Sequence, residues 1–215
     1  MVKEIRIYIE GGGDGKNTKA LIREGFSKFL QEIVGLARSK KIKWGITVCG
    51  TRNNAFRDFK NALKSHPDAF NVLLVDAEAP VKKSPWEHLK NRDNWEIPEI
   101  DARYCHLMVQ AMEAWFMADI DTLKKFYGQG FKENAIPKNS NVETINKDSL
   151  EPCLKNATSN TSKGEYQKIK HASKLLELLN TSKVRSASPH CDRFFTVLME
   201  MIETSTENSK NIVKD

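Results

Sequence analysis

The segment EIRIYIEGGGDG, residues 4–15, decides the reading of the fold. Ile5, Ile7 and Ile9 alternate with Arg6 and Tyr8, the period of a strand, and the strand runs past Glu10 into a glycine-rich turn. Residues 17–38 then carry Leu21, Ile22, Phe26, Phe29, Leu30, Ile33 and Val34 at helical spacing, with Asn17 or Thr18 as cap, so one long helix is expected. KWGITVC, residues 43–49, reads as a second strand that stops at Gly50. NAFRDFKNAL, residues 54–63, spaces Phe56, Phe59 and Leu63 as a helix does. FNVLLVD, residues 70–76, is a continuous apolar run ending in an acid, the pattern of a strand buried on both faces of a parallel sheet.

Further along, an irregular loop containing Pro and Trp is expected to about residue 101. YCHLMVQA, residues 104–111, reads as a fourth strand and MEAWFMADIDTLKKFYG, residues 112–128, as a helix stopped by Gly128, although strand and helix could equally fuse. Residues 129–165 are polar and turn-rich. Helices are expected near 165–180 and 189–203, burying Leu175, Leu176, Leu179, Val197, Leu198 and Ile202, and residues 206–215 read as a disordered tail. Alternating strands and helices imply an α/β fold with a mostly parallel sheet and helices on both faces. The expected division is a core over residues 1–127 and a C-terminal helical extension over 128–205 packed on it. In such sheets ligands sit outside the carboxyl ends of the strands.

Composition narrows the function classes. The chain has 215 residues, 40% of them hydrophobic, enough for one substantial core. Lys and Arg outnumber Asp and Glu by 34 − 28 = 6, and the pI near 9.0 is compatible with nucleic acid as a partner. Cys49, Cys105, Cys153 and Cys191 are isolated singletons, which excludes a CxxC zinc pattern and fits a reducing compartment. With no apolar leader in MVKEIRIYIE and no stretch near the roughly 18 apolar residues of a membrane span, a cytoplasmic protein without membrane contact is expected.

The chemistry should lie among acids. Glu10 closes the first strand, Asp76 and Glu78 follow the third, and Glu113 follows the fourth, so all would face one crevice. Residues two apart in extended chain point the same way, so Asp76 and Glu78 would present two oxygens to one cation if the strand persists past Asp76. Magnesium, or manganese, takes such oxygen ligands. Without nearby bases these carboxylates would repel one another, and a divalent ion would remove that repulsion and could polarise a phosphate or activate water. Any one acid alone is better read as a helix cap or solvated strand end. Gly11 and Gly12 after Glu10 would let a ligand approach the backbone, and Lys16 at the next helix start would suit a phosphate. A Walker loop is excluded because Gly11 and Gly15 enclose three residues and Asn17 follows Lys16. A dinucleotide fingerprint is excluded because Lys16 takes the last glycine position.

IYIEGGGDG, residues 7–15, and LLVDAEAP, residues 73–80, resemble the Toprim signature, a Glu after the first strand and an Asp-x-Asp pair after a later one. The downstream blocks VQAMEAWFMAD (109–119), VETINKDSLEP (142–152), GEYQKIKHASKLLELL (164–179) and SASPHCDRFFTVL (186–198) resemble the Toprim-related, RloB-like family of bacterial defence proteins. The resemblance spans roughly residues 4–203. It implies a Toprim or Rossmann-like core with C-terminal helices, magnesium dependence, a nuclease role against phage and, often, a partner ATPase. Glu10 would be a general acid/base or a metal ligand, Asp76 and Glu78 the metal pair, and Glu113 of the E-x-W block a further catalytic residue. The sequence departs from the pattern at Glu78, where an Asp is expected; the longer side chain still coordinates metal but could move it. Trp115 and Asp119 would hold the helix in place.

Lys168 and Arg185, in the C-terminal blocks, could reach phosphates, and Lys168 is taken as a candidate catalytic residue. Arg52, Arg57, Lys60 and Lys64 could form a backbone-binding stripe on one helix face. The five histidines show no HxH or HxxxH pairing, and His106 reads as packed in its strand. The expected activity is hydrolysis of DNA or RNA phosphodiesters. The alternative is a non-cleaving nucleotide- or nucleic-acid-binding module of an ATPase-containing complex. Whether the chain forms a homodimer is left open.

Overall fold

The computed structural model describes residues 2–211, with side chains to residue 204; the tail expected at 206–215 lies outside the fully described residues. β1 (Glu4–Glu10), β2 (Lys43–Gly50), β3 (Phe70–Asp76) and β4 (Cys105–Met108) form one sheet in the order β2-β1-β3-β4. Every pairing is parallel, with Ile7 opposite Ile46 on one side and Val72 on the other. All seven residues of β3 are buried, as its apolar run requires.

The period of two sorts these strands between two cores. Ile5, Ile7, Ile9, Val72 and Leu74 join Phe26 and Phe29 of α1 (Lys16–Phe29) and Ile33 of α2 (Gln31–Ser39) on one face. Tyr8, Leu73 and Val75 join Phe56 and Phe59 of α3 (Arg52–Ser65) and Trp86 and Leu89 of α4 (Pro85–Asp93) on the other. Helices thus cover both faces of the sheet, an α/β fold.

The remaining helices are α5 (Glu113–Met117), α6 (Ile120–Tyr127), α7 (Lys147–Thr158), α8 (Lys168–Leu178), α9 (Thr181–Ala187) and α10 (Pro189–Asn211). Their buried residues, among them Leu154, Leu175, Phe194 and Ile202, belong to the same core as Ile5 and Phe26. α8 lies against α1 at Gly25, where a Cβ would stand 2.6 Å from the Ser173 carbonyl. Among the described residues, no helix is long and apolar enough to cross a membrane.

Several expected elements are subdivided. The helix expected over 17–38 breaks at Leu30 (φ −97°, ψ 13°), yet Leu30 N still donates to Phe26 O and Val34 N to Leu30 O, both at 2.9 Å. The apolar stripe therefore passes through the bend uninterrupted and reads as one helix. Strand β4 and the helix after it do not fuse, and that helix is itself divided at Asp119, whose carboxylate takes the Thr122 amide at 3.3 Å and caps α6.

Two helices occupy stretches expected to be irregular. In α4, Ser84 caps the amide of Glu87 at 3.3 Å and Pro85 sits in the first turn, where its missing N–H is not needed. In α7, the exposed Pro152 gives up one helical hydrogen bond, but Leu150, Leu154 and Ala157 bury one face and Asn146 caps the start.

Candidate metal centre

β1 and β3 are adjacent parallel strands, so their carboxyl ends bring Glu10 and Asp76 together. Asp76 N donates to Glu10 Oε2 at 3.1 Å. Asp76 itself is 5% exposed, and its Oδ1 accepts the Met112 amide at 2.8 Å, which ties the end of β3 to the start of α5.

Glu78 arrives by a route different from the expected one. The strand ends at Asp76, and Glu78 adopts φ 65°, so the two side chains are not aligned by extended geometry. Instead Ala77 N donates to Met108 O at 2.8 Å and Glu78 N to Gln110 O at 2.6 Å, turning the chain back over the crevice. One carboxylate oxygen from each of Glu10, Asp76 and Glu78 then lies within 4.8 Å of the others. This all-oxygen donor set suits a hard divalent cation.

The carboxylates are not without bases, contrary to the expectation. Arg52 Nη1 donates to Glu10 Oε2 at 3.1 Å and to the Asp76 carbonyl at 2.6 Å, while its Nη2 holds Asp93 at 2.9 Å. Lys168 Nζ lies 3.7 Å from Asp76 Oδ2 and 3.1 Å from Glu113 Oε1. Lys147 pairs with Glu78 Oε2, and Arg92 lies 3.7 Å from the same oxygen. The hydrogen bonds of Glu10 and Glu78 fall on their Oε2 atoms, whereas Asp76 accepts the Met112 amide on Oδ1 and faces Lys168 with Oδ2, so a cation held here would compete with Lys168 for Asp76.

Glu113 stands behind this group rather than in it. It is buried and accepts from the Tyr166 hydroxyl at 3.1 Å and from Lys168, so its role is to hold Lys168 toward Asp76. Against the pull of burial, Asp76 and Glu113 keep the Lys168 ammonium above its ordinary pKa. Gly11 and Gly12 line a cavity of about 400 Å³ beside the acids, with Gly13, Thr18, Gly50, Asp76 and Lys168. Gly12 has φ 76°, and a Cβ there would stand 2.9 Å from Lys19 Cα, so no other residue fits. Lys16 is exposed at the first position of α1 and is not drawn into the cavity; Lys19 lies over the loop and donates to the Cys49 carbonyl at 3.2 Å.

The rest of the expected residues are placed elsewhere. Arg185 pairs with Asp192 at 2.7 Å, and the stripe on α3 is broken because Arg52 turns inward while Lys60 covers the Phe56 ring. Trp115 stacks on Phe29 at 5.2 Å and Asp119 also takes Asn180 N and Lys183 Nζ, so both hold the fold, as expected. His106 is fully buried within β4, as expected. The site residues missed from sequence are Lys147 and Tyr166, and Arg52 is expected there in an exposed stripe rather than beside Glu10. Arg52 was discoverable, since it follows a parallel strand at its carboxyl end, where ligands gather.

Burial first, and then the charge of Asp76, raise the Glu10 carboxyl from 4.5 to about 7, although Arg52 opposes this; burial likewise raises Asp76. A carboxyl whose pKa is raised on folding holds its proton while the unfolded chain has lost it. Its contribution to stability is therefore complete below about pH 4.5 and lost as pH rises to 7, by about 3 kcal/mol at most. Buried His106, pushed down from 6.5 to about 3, acts in the opposite sense below pH 6.5. The expected result is that Glu10→Gln gains stability relative to wild type as pH rises from 5 to 8, measured by urea unfolding without metal. A difference that stays constant over that range would refute it.

Four parallel strands whose carboxyl ends gather three acids beside a glycine-rich loop define an α/β protein with a candidate cation site. Over residues 9–199 the chain matches the family described as Domain of unknown function (DUF4276), and it belongs to that family. No curated protein and no solved structure matched it.

Proposed function

We propose that the protein is a Toprim-type nuclease that hydrolyses phosphodiesters of DNA or RNA with magnesium, or manganese, held by Glu10, Asp76 and Glu78. The supporting observation is the convergence of these three carboxylates within 4.8 Å at the ends of adjacent strands. A divalent ion there would polarise a phosphate oxygen or lower the pKa of a bound water. Lys168, held by Glu113, faces the same cavity and would bind the phosphate. Burial raises the Glu10 carboxyl to about 7 in the metal-free chain, and a cation held there would favour its charged form. A defence role and a partner ATPase accompany this reading through the RloB-like resemblance alone, and a cytoplasmic setting through the isolated cysteines and the lack of a long apolar stretch.

A second reading, a binding module that does not cleave, is favoured by the bases already paired with each acid and by Glu78 in place of an Asp. Calorimetric titration of magnesium and manganese into the chain and into an Asp76→Ala, Glu78→Ala double variant separates the two, with cleavage of mixed DNA and RNA followed in parallel. The nuclease reading expects metal binding and cleavage that both vanish in the folded double variant. Binding without cleavage would support the module, and absence of binding would make the cluster structural.

A further inference from the structure

The cavity beside Glu10 and Asp76 is lined by two unlike sets of residues. One is polar: the backbone of Gly11–Gly13, the two carboxylates and Lys168. The other is apolar: Ile22 from α1, Met108 and Met112 from the ends of β4 and its loop, and Ile169 from α8. Ile169 is 70% exposed, the most exposed large apolar side chain among the described residues. Met112, which also lines the cavity, donates its amide to Asp76 Oδ1, so this part of the apolar lining is fixed to the acids.

We infer that the apolar side chains of this cavity receive the face of one unpaired nucleobase whose phosphate lies against its polar groups, so that the substrate is a single-stranded nucleic acid. A volume of about 400 Å³ is at the small end of cavities that hold an organic ligand, roughly 300–1,000 Å³, and admits one nucleotide but no base pair. A base within a duplex has both faces stacked and would first have to be extruded to meet a wall of Met and Ile; an unpaired base meets it directly. The exposed Ile169 at the rim gives the base an apolar surface at entry, and the basic balance of the chain attracts the strand. The inference deepens the proposed function and rests on its placement of the phosphate.

The test uses the full chain with a ten-nucleotide DNA strand carrying 2-aminopurine at one position, alone or hybridised to its complement, in calcium at moderate salt. The strand is expected to bind at least tenfold more tightly than the duplex, and Ile169→Asn to weaken strand binding about tenfold, as removal of one apolar contact surface would. Competition by adenosine monophosphate distinguishes a free nucleotide as occupant from a strand: displacement only at concentrations far above that of the strand supports a strand. Equal affinity for strand and duplex, strand binding unchanged in Ile169→Asn, or displacement by adenosine monophosphate as effective as by strand would each overturn the inference. Magnesium titrated into the wild-type chain reads the nuclease proposal separately, so strand binding that depends on Ile169 without metal binding would sink that proposal and leave this one standing.

Discussion

Asp76→Asn is expected to weaken magnesium binding by at least about a hundredfold while leaving the melting temperature of the metal-free chain unchanged or raised. Loss of a residue that merely orients a metal ligand typically costs 10–100-fold in affinity, and a ligand itself should cost more. The asparagine keeps the shape and its oxygen can still accept the Met112 amide, so the tie between β3 and α5 survives. What it removes is a charge that burial disfavours, as the raised pKa of Asp76 shows. Structural and metal-binding roles thus predict opposite signs. A folded Asp76→Asn protein that binds magnesium as wild type does would end the metal assignment. A drop of ten degrees in melting temperature with metal affinity intact would make Asp76 a fold residue.

Trp115→Ala should be the most destabilising single truncation near the site, by about 3–5 kcal/mol, or roughly 10 °C in melting temperature. Trp115 is fully buried, stacks on Phe29 at 5.2 Å and meets Phe26 edge-on at 6.4 Å. It sits on α5, a helix of five buried residues too short to hold itself together without packing. Because Glu113 opens that helix and holds Lys168, the cavity left at Trp115 should also loosen Lys168. Trp115→Phe should cost less than half as much, since the indole N–H has no partner and its removal forfeits no hydrogen bond. Equal losses for alanine and phenylalanine, measured by thermal unfolding, would contradict this packing account.

Sequence by itself determined the layers of this protein and the main acids of its site. The period-two alternation of β1 and the unbroken apolar run of β3 could be satisfied only as strands of a parallel sheet covered on both faces, and acids at the ends of such strands must emerge at one edge. Glu10 and Asp76 followed from that topology. The tertiary structure decided what local pattern does not encode. Glu78 reaches the cluster through a left-handed turn pinned by Gln110, a contact across 32 residues that no strand period foretells. Arg52, Lys147 and Lys168 become the counter-charges of the three acids because the starts of α3, α7 and α8 converge there, whereas each alone reads as a solvated base. Lys16, next to the glycines in sequence, stays in solvent because the first turn of α1 points it away from the cavity that the glycines line. Burial and charge at this site are sums over several elements, and only the folded chain performs that sum.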